Sequence, residues 1–186
     1  MDVTARQQLG IPLKGANLYL VGMMGSGKTT VGALLAEKLG YQFFDTDRVI
    51  EQLTGEGIPS LFARQGEAVF REMETQVLAE LAAFGRLVVA TGGGIVQRPQ
   101  NWSYLHHGIV IWLDVALDQL WLRLQSDPQG RPLLQTADPL ATLQQLMQQR
   151  QPFYAQADVH VQITEAASPQ QISEWVWAQV QRRLKA

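Results

Sequence analysis

No cysteine occurs anywhere in the chain, which excludes a disulfide framework and any metal site built on thiolates. Charge is sparse as well. Asp, Glu, Lys and Arg make up 17% of the 186 residues and leave a formal net charge of −2, a balance that argues against a general nucleic-acid binder. No apolar run reaches the length of a membrane span. The first fifteen residues hold Asp2 and no apolar core segment, so neither a secretory signal nor a transit peptide is expected there. The expectation is a cytoplasmic protein, with residues 1–15 as a loose extension, broken at Pro12 and Gly15, ahead of a single domain over 16–186. The three histidines, His106, His107 and His160, lack metal-ligand spacing.

Apolar residues are abundant by contrast, at 46%, enough for one α/β domain with a sizeable core. The five tryptophans sit mainly in apolar patterns and read as packing. The most specific feature is Gly22-Met23-Met24-Gly25-Ser26-Gly27-Lys28-Thr29, a phosphate-binding loop of the form G-x-x-x-x-G-K-T. It follows the short apolar run Leu18-Tyr19-Leu20-Val21 and precedes an amphipathic run from Lys28, the strand–loop–helix setting such a loop requires. Glycines let the backbone wrap phosphates with its N–H groups turned inward. The helix that follows adds its positive dipole end. Gly25, Ser26, Gly27, Lys28, Thr29 and Thr30 are therefore the candidate nucleotide-binding residues. Lys28 is expected at the β- and γ-phosphates, and the Thr29 hydroxyl on Mg²⁺.

Five short apolar runs, at 18–21, 41–45, 87–90, 108–113 and 158–163, alternate with helical patterns. Helices are expected from Lys28, ending at Gly40; as short pieces over 48–66, broken at Gly55, Gly57 and Gly66; and over 67–84, with Phe70, Met73, Val77, Leu81 and Phe84 on one stripe. Further helices are expected over 115–124, over 138–150 with Pro152 as the stop, and from Ser168-Pro169-Gln170-Gln171, a capping box, through Ile172, Trp175, Val176 and Val180. Residues 126–137, polar and rich in Pro and Gly, read as a mobile loop. The pattern implies an α/β fold with a five-stranded parallel sheet covered by helices on both faces. Ligands in such sheets bind at the carboxyl ends of the strands. The phosphate loop, Asp45-Thr46-Asp47 and Gly92-Gly93-Gly94 all fall there and should converge on one cleft.

Phosphoryl transfer asks carboxylates to do two jobs, supporting hydrated Mg²⁺ and orienting or deprotonating the attacking hydroxyl. Asp45 and Asp47 suit both jobs, although a helix N-cap plus a turn residue is the alternative. Gly92, Gly93 and Gly94 allow close approach of backbone to a ligand, or make a plain tight turn. Arg71 lies beside the apolar Phe70, with Glu74 one turn on as a possible partner. Arg150 ends a stripe of Leu140, Leu143 and Met147; an arginine on such a face meets an anion or carboxylate, unless it is a solvated surface residue. Arg131, in the 126–137 loop, fits a lid that closes on phosphates as well as an ordinary surface loop.

Taken together, the phosphate loop, Asp45-Thr46-Asp47, Phe70-Arg71-Glu72-Met73-Glu74, Gly92-Gly93-Gly94, Arg131-Pro132-Leu133-Leu134 and Arg150 with Tyr154 closely resemble the shikimate kinase family, over residues 16–180. These are small P-loop kinases related to nucleoside monophosphate kinases. The resemblance implies ATP-dependent phosphorylation of shikimate to 3-phosphoshikimate, on the route to chorismate and the aromatic amino acids, by a monomer that uses Mg²⁺. It implies a helical substrate-binding region over about 46–75 and a lid over about 126–137. By the same resemblance Asp47 binds the acceptor hydroxyls and serves as base, and Asp45 supports Mg²⁺ with Thr29. Arg71 and Arg150 clamp the carboxylate, Gly93 offers backbone contact, and Arg131 reaches ATP phosphates, which makes Lys28, Asp47 and Arg131 the catalytic set. Two positions depart from some family members, Leu124 beside Arg123 and Ala167, both on the adenine side. The competing readings are a related small-molecule kinase, such as a gluconate kinase, and a kinase-like binding protein that has lost catalysis. Damage at Lys28, Asp45, Asp47 or Arg131 would mark the latter, and all four are intact.

Overall fold

The computed structural model describes residues 13–126 and 132–185. Its centre is a sheet of five parallel strands, β1 Leu18–Val21, β2 Gln42–Asp45, β3 Leu87–Ala90, β4 Ile109–Val115 and β5 Val159–Ile163, in the order β2-β3-β1-β4-β5. Every residue of β1 and β3 is buried, as uninterrupted apolar runs must be when helices cover both faces. The edge strand β5 alternates buried and exposed instead. Because β1 pairs with β3 on one side and β4 on the other, the chain order reverses at β1. The loop leaving β1 therefore opens into the crevice where α/β sheets bind ligands.

Seven α-helices are described: α1 Lys28–Leu39, α2 Thr46–Thr54, α3 Ile58–Ala82, α4 Pro99–Leu105, α5 Leu117–Gln125, α6 Pro139–Tyr154 and α7 Pro169–Lys185. Gly40 and Gly55 end α1 and α2 in the left-handed conformation. Gly57 starts α3, and Gly66 kinks it at φ 79°, ψ 170°, so the three breakers in 48–66 act as read. The Ser168 capping box forms in both directions, Gln171 N–H to Ser168 Oγ at 3.2 Å and Ser168 N–H to Gln171 Oε1 at 2.8 Å. No described helix is long and apolar enough to cross a membrane.

Several expectations give way to tertiary contacts. Val115 is strand, not helix, because it pairs with Ile163 of β5; α5 begins two residues later. Pro152 does not stop α6, which runs on to Tyr154. A proline this close to a helix end removes one backbone bond, and Arg150 and Tyr154, both buried, anchor the last turn. Phe84 is 67% exposed, since α3 ends at Ala82 and carries it off the stripe. In α7 the core tryptophan is Trp177, while Trp175 lies at the surface. Leu13 already belongs to the core, and Gly15 O accepts from Arg86 N–H at 2.9 Å, so the fold reaches back before residue 16. Of the loop over 126–137, residues 127–131 lie outside the described residues, Arg131 among them; Pro132–Leu134 form a 3-10 turn.

Candidate active site

The phosphate loop owes its shape to three glycines. Gly22, Gly25 and Gly27 all hold positive φ, and a Cβ on Gly22 would stand 2.6 Å from Leu113 O. L-residues with side chains avoid that region, so the loop can wrap only with these residues. Lys28 opens α1 and curls back over the loop, its ammonium donating to Gly22 O at 2.9 Å, Met23 O at 2.8 Å and Ser26 Oγ at 3.3 Å. Its side chain is thereby poised at the loop's concave face.

Asp45 caps α2 and also holds the Thr29 hydroxyl. Its Oδ1 caps α2, accepting from Asp47 N–H at 3.1 Å and Arg48 N–H at 3.4 Å, while Oδ2 accepts the Thr29 hydroxyl at 2.6 Å. Thr29 spends its proton on Asp45 and keeps its oxygen lone pairs for a cation. Thr46, fully buried, accepts from Gly92 N–H at 3.0 Å and ties α2 to the glycine turn.

One cleft of ≈ 820 Å³ is lined by Gly25, Gly27, Lys28, Thr29 and Thr30, and by Asp45, Asp47, Gly93, Arg123 and Ala167. A smaller pocket of ≈ 80 Å³ opens beside it, lined by Asp47, Arg71, Glu74, Gly92, Gly93, Gly94 and Arg150, with Phe62, Phe70 and Leu133 as its apolar wall. Asp47 and Gly93 line both. On the larger side, the Arg123 guanidinium donates to Gly25 O at 3.3 Å and Ser26 O at 3.4 Å, and Leu124 packs against Gly25.

The smaller pocket is an electrostatic cage. Arg71 Nη1 donates to Glu74 Oε2 at 2.6 Å, and its Nε and Nη2 donate to Glu67 Oε1 at 3.2 and 2.8 Å. Burial alone would lower the Arg71 pKa, but Glu74 and Glu67 outweigh it and raise it. Glu74 is wholly buried. Desolvation pushes its carboxyl up to about 7, with Asp47 adding to the push and Arg71 and Arg150 opposing it. Arg150 is only 2% exposed, and its Nε has no hydrogen-bond partner among the described residues. A buried guanidinium with an unused donor marks a place for an anion. The glycine turn must stay bare: a Cβ on Gly94 would collide with the Arg71 guanidinium, and one on Gly92 with Glu74 Oε1.

The structure thus brings the described candidate site residues to the two lobes, apart from Ser26, which is buried beneath the loop against Lys28; Arg131 lies outside the described residues. Sequence reasoning missed Glu67, which faces Arg71 as an i, i+4 pair that spacing could have revealed. It also missed any task for Tyr154, whose hydroxyl donates to Gly93 O at 2.5 Å. That pairing spans 61 residues and carries no local signal.

A phosphate loop at the switch point of a parallel sheet, opening onto a small pocket with two arginines, defines a P-loop kinase for a small anionic acceptor. The shikimate kinase family model matches residues 24–181. The shikimate kinase of Synechococcus sp. (strain JA-3-3Ab) is 61% identical over 174 residues, covering 94% of this chain and 92% of that one. The structure of a shikimate kinase from Acinetobacter baumannii in complex with shikimate superposes with a TM-score of 0.85 at 38% identity, covering 90% of this chain and 94% of that one. A gluconokinase from Sinorhizobium meliloti shares the fold, with a TM-score of 0.57 at 16% identity. The chain belongs to the shikimate kinase family, and it is an ATP-dependent phosphotransferase acting on a hydroxyl group.

Proposed function

We propose that the two lobes of the cleft are donor and acceptor sites, and that the chain moves the γ-phosphoryl group of ATP onto the 3-hydroxyl of shikimate. The observation that carries this is the shared wall: Asp47 and Gly93 line both lobes, so an acceptor held in one meets phosphates held in the other. The shikimate carboxylate enters between Arg71 and Arg150, where a guanidinium fork matches it and Arg150 Nε has no hydrogen-bond partner among the described residues. The ring lies against Gly93 and the apolar wall of Phe62, Phe70 and Leu133.

Asp47 accepts the hydroxyl proton as the acceptor oxygen bonds to the γ-phosphorus and the bond to the β-phosphate oxygen breaks. Lys28 and the loop amides hold the β- and γ-phosphates, Thr30 sits at the cleft wall beside them, and Arg131 adds positive charge from the 126–137 lid. Thr29 and Asp45 offer hard oxygen donors for Mg²⁺, which needs few protein ligands beside phosphate and water. When bound, Mg²⁺ neutralises charge on the β- and γ-phosphate oxygens. Arg123 and Ala167 flank the space left for the base of the nucleotide. We assign residues 46–75 to acceptor binding, and read the chain as a cytoplasmic monomer with a single kinase domain that takes in Leu13.

A coupled assay for ADP release, run with shikimate, with gluconate and with no acceptor, tests the reading. ADP release that depends on shikimate is expected. Turnover of gluconate in place of shikimate would move the chain to the sugar-acid kinases. No ADP release with either acceptor would favour a binding protein without catalysis.

A further inference from the structure

Tyr154 is the last residue of α6, one helical turn beyond Arg150. Both side chains are buried, at 1% and 2% exposure. The Tyr154 hydroxyl donates to Gly93 O at 2.5 Å and approaches Met23 Sδ at 3.7 Å. Gly93 is where the two halves of the cleft touch: a Cβ on it would stand 3.3 Å from Arg150 Nη1, 3.4 Å from Gly22 O and 3.5 Å from Met24 N. One phenol thus bonds the residue wedged between the carboxylate-binding arginine and the phosphate loop.

We propose that Tyr154 is a positioning residue that sets the spacing between acceptor and phosphate donor by fixing the Gly93 carbonyl, and so contributes to turnover rather than to the binding of either substrate. This rests on phosphoryl transfer to shikimate as the reaction of the cleft. A peptide unit is planar, so a hydrogen bond on the Gly93 carbonyl sets the orientation of the whole Gly93–Gly94 unit. Three successive glycines would otherwise make this the softest stretch of the cleft wall. The hydroxyl is a dependable donor, because burial pushes the Tyr154 phenol up to about 12, with Arg150 opposing. Its ring is itself held, stacked on Trp112 with centroids 5.9 Å apart. The same bond steadies the final turn of α6, where Pro152 removes a backbone donor. It therefore constrains Arg150 and Gly93 together. Phosphoryl transfer depends almost wholly on alignment, and a misplacement of about 1 Å can cost about 100-fold in rate.

Tyr154→Phe deletes the hydroxyl and keeps the ring. The expected result, in steady-state kinetics with shikimate and ATP, is a kcat lowered about tenfold with both KM values within about twofold of wild type. The amide resonance of Gly94, which shares the peptide unit with the Gly93 carbonyl, is expected to move in ¹H–¹⁵N spectra. A kcat within twofold of wild type, with only the melting temperature lowered, would reduce Tyr154 to a packing residue and overturn the proposal. A raised KM for shikimate at unchanged kcat would overturn it too, by placing the effect in binding. An unmoved Gly94 resonance would refute the bond itself. Wild-type enzyme in the same assay reports separately on the reaction: no shikimate-dependent turnover there would remove the functional reading rather than the role of Tyr154.

Discussion

Glu74→Gln tests the most unusual electrostatic feature of the cleft. Glu74 is wholly buried on α3, with one oxygen on Arg71 Nη1 at 2.6 Å and the other, Oε1, without a hydrogen-bond partner among the described residues. Its carboxyl is raised from 4.5 to about 7 in the fold, by desolvation first and Asp47 second. A carboxyl with a raised folded pKa binds more protons folded than unfolded over that interval. Stability from this group is therefore fully present at low pH, falls as pH rises from 4.5 through about 7, and is flat above. Between pH 5 and pH 8 the linkage relation gives a loss on the order of 2–3 kcal/mol from this one group. Glutamine keeps the shape and cannot titrate. Urea unfolding of both proteins at pH 5, 6, 7 and 8 isolates the effect in their difference, because every other group titrates in both. The expected outcome is a wild type that loses on the order of 2–3 kcal/mol relative to Glu74→Gln across that range. A difference that stays constant with pH would refute a raised Glu74, and with it the view that desolvation outweighs Arg71 at this site.

Three further outcomes are expected. Lys28→Met should remove turnover while circular dichroism and thermal melting stay near wild type, and wild-type-like kinetics would undo the phosphate-loop assignment. Arg150→Ala should raise the KM for shikimate more than that for ATP, by about tenfold or more if one charge-assisted contact of about 1.5–3 kcal/mol is lost; the opposite ranking would place Arg150 on the nucleotide side. Gly94→Ala should raise the KM for shikimate and also lower the melting temperature, because the overpacked guanidinium must shift off its partners. Its φ of −93° suits alanine, but the new Cβ collides with the Arg71 guanidinium, which Glu74 and Glu67 pin in place; an unchanged KM would show that Arg71 can move aside without consequence.

The phosphate loop was legible in the chain because its geometry is local. The phosphate loop, the Thr29 and Lys28 that follow it, and the strand before it lie within a dozen residues. Asp45 was legible as two alternatives, and the structure shows the cap, with one oxygen on the α2 amides and the other on the Thr29 hydroxyl. Arg150 was readable as the end of an inward stripe, yet that stripe's first member, Leu140, is 39% exposed. Helical spacing reports which residues share a face; it does not report how far along the helix the face is covered. Phe84 and Trp175 were misplaced for the same reason.

By itself the sequence determined the alternation of strands and helices, the glycines that alone permit the phosphate loop, and the residue types needed for phosphoryl transfer to an anionic acceptor. Those follow from period, backbone sterics and charge, which act between near neighbours. Only the tertiary structure decided that Val115 continues a strand, that α6 outlasts Pro152, that Glu74 titrates near neutrality, and that Tyr154 clasps Gly93. Each of these depends on desolvation or on a bond between residues distant in sequence, and neither exists until the chain has packed.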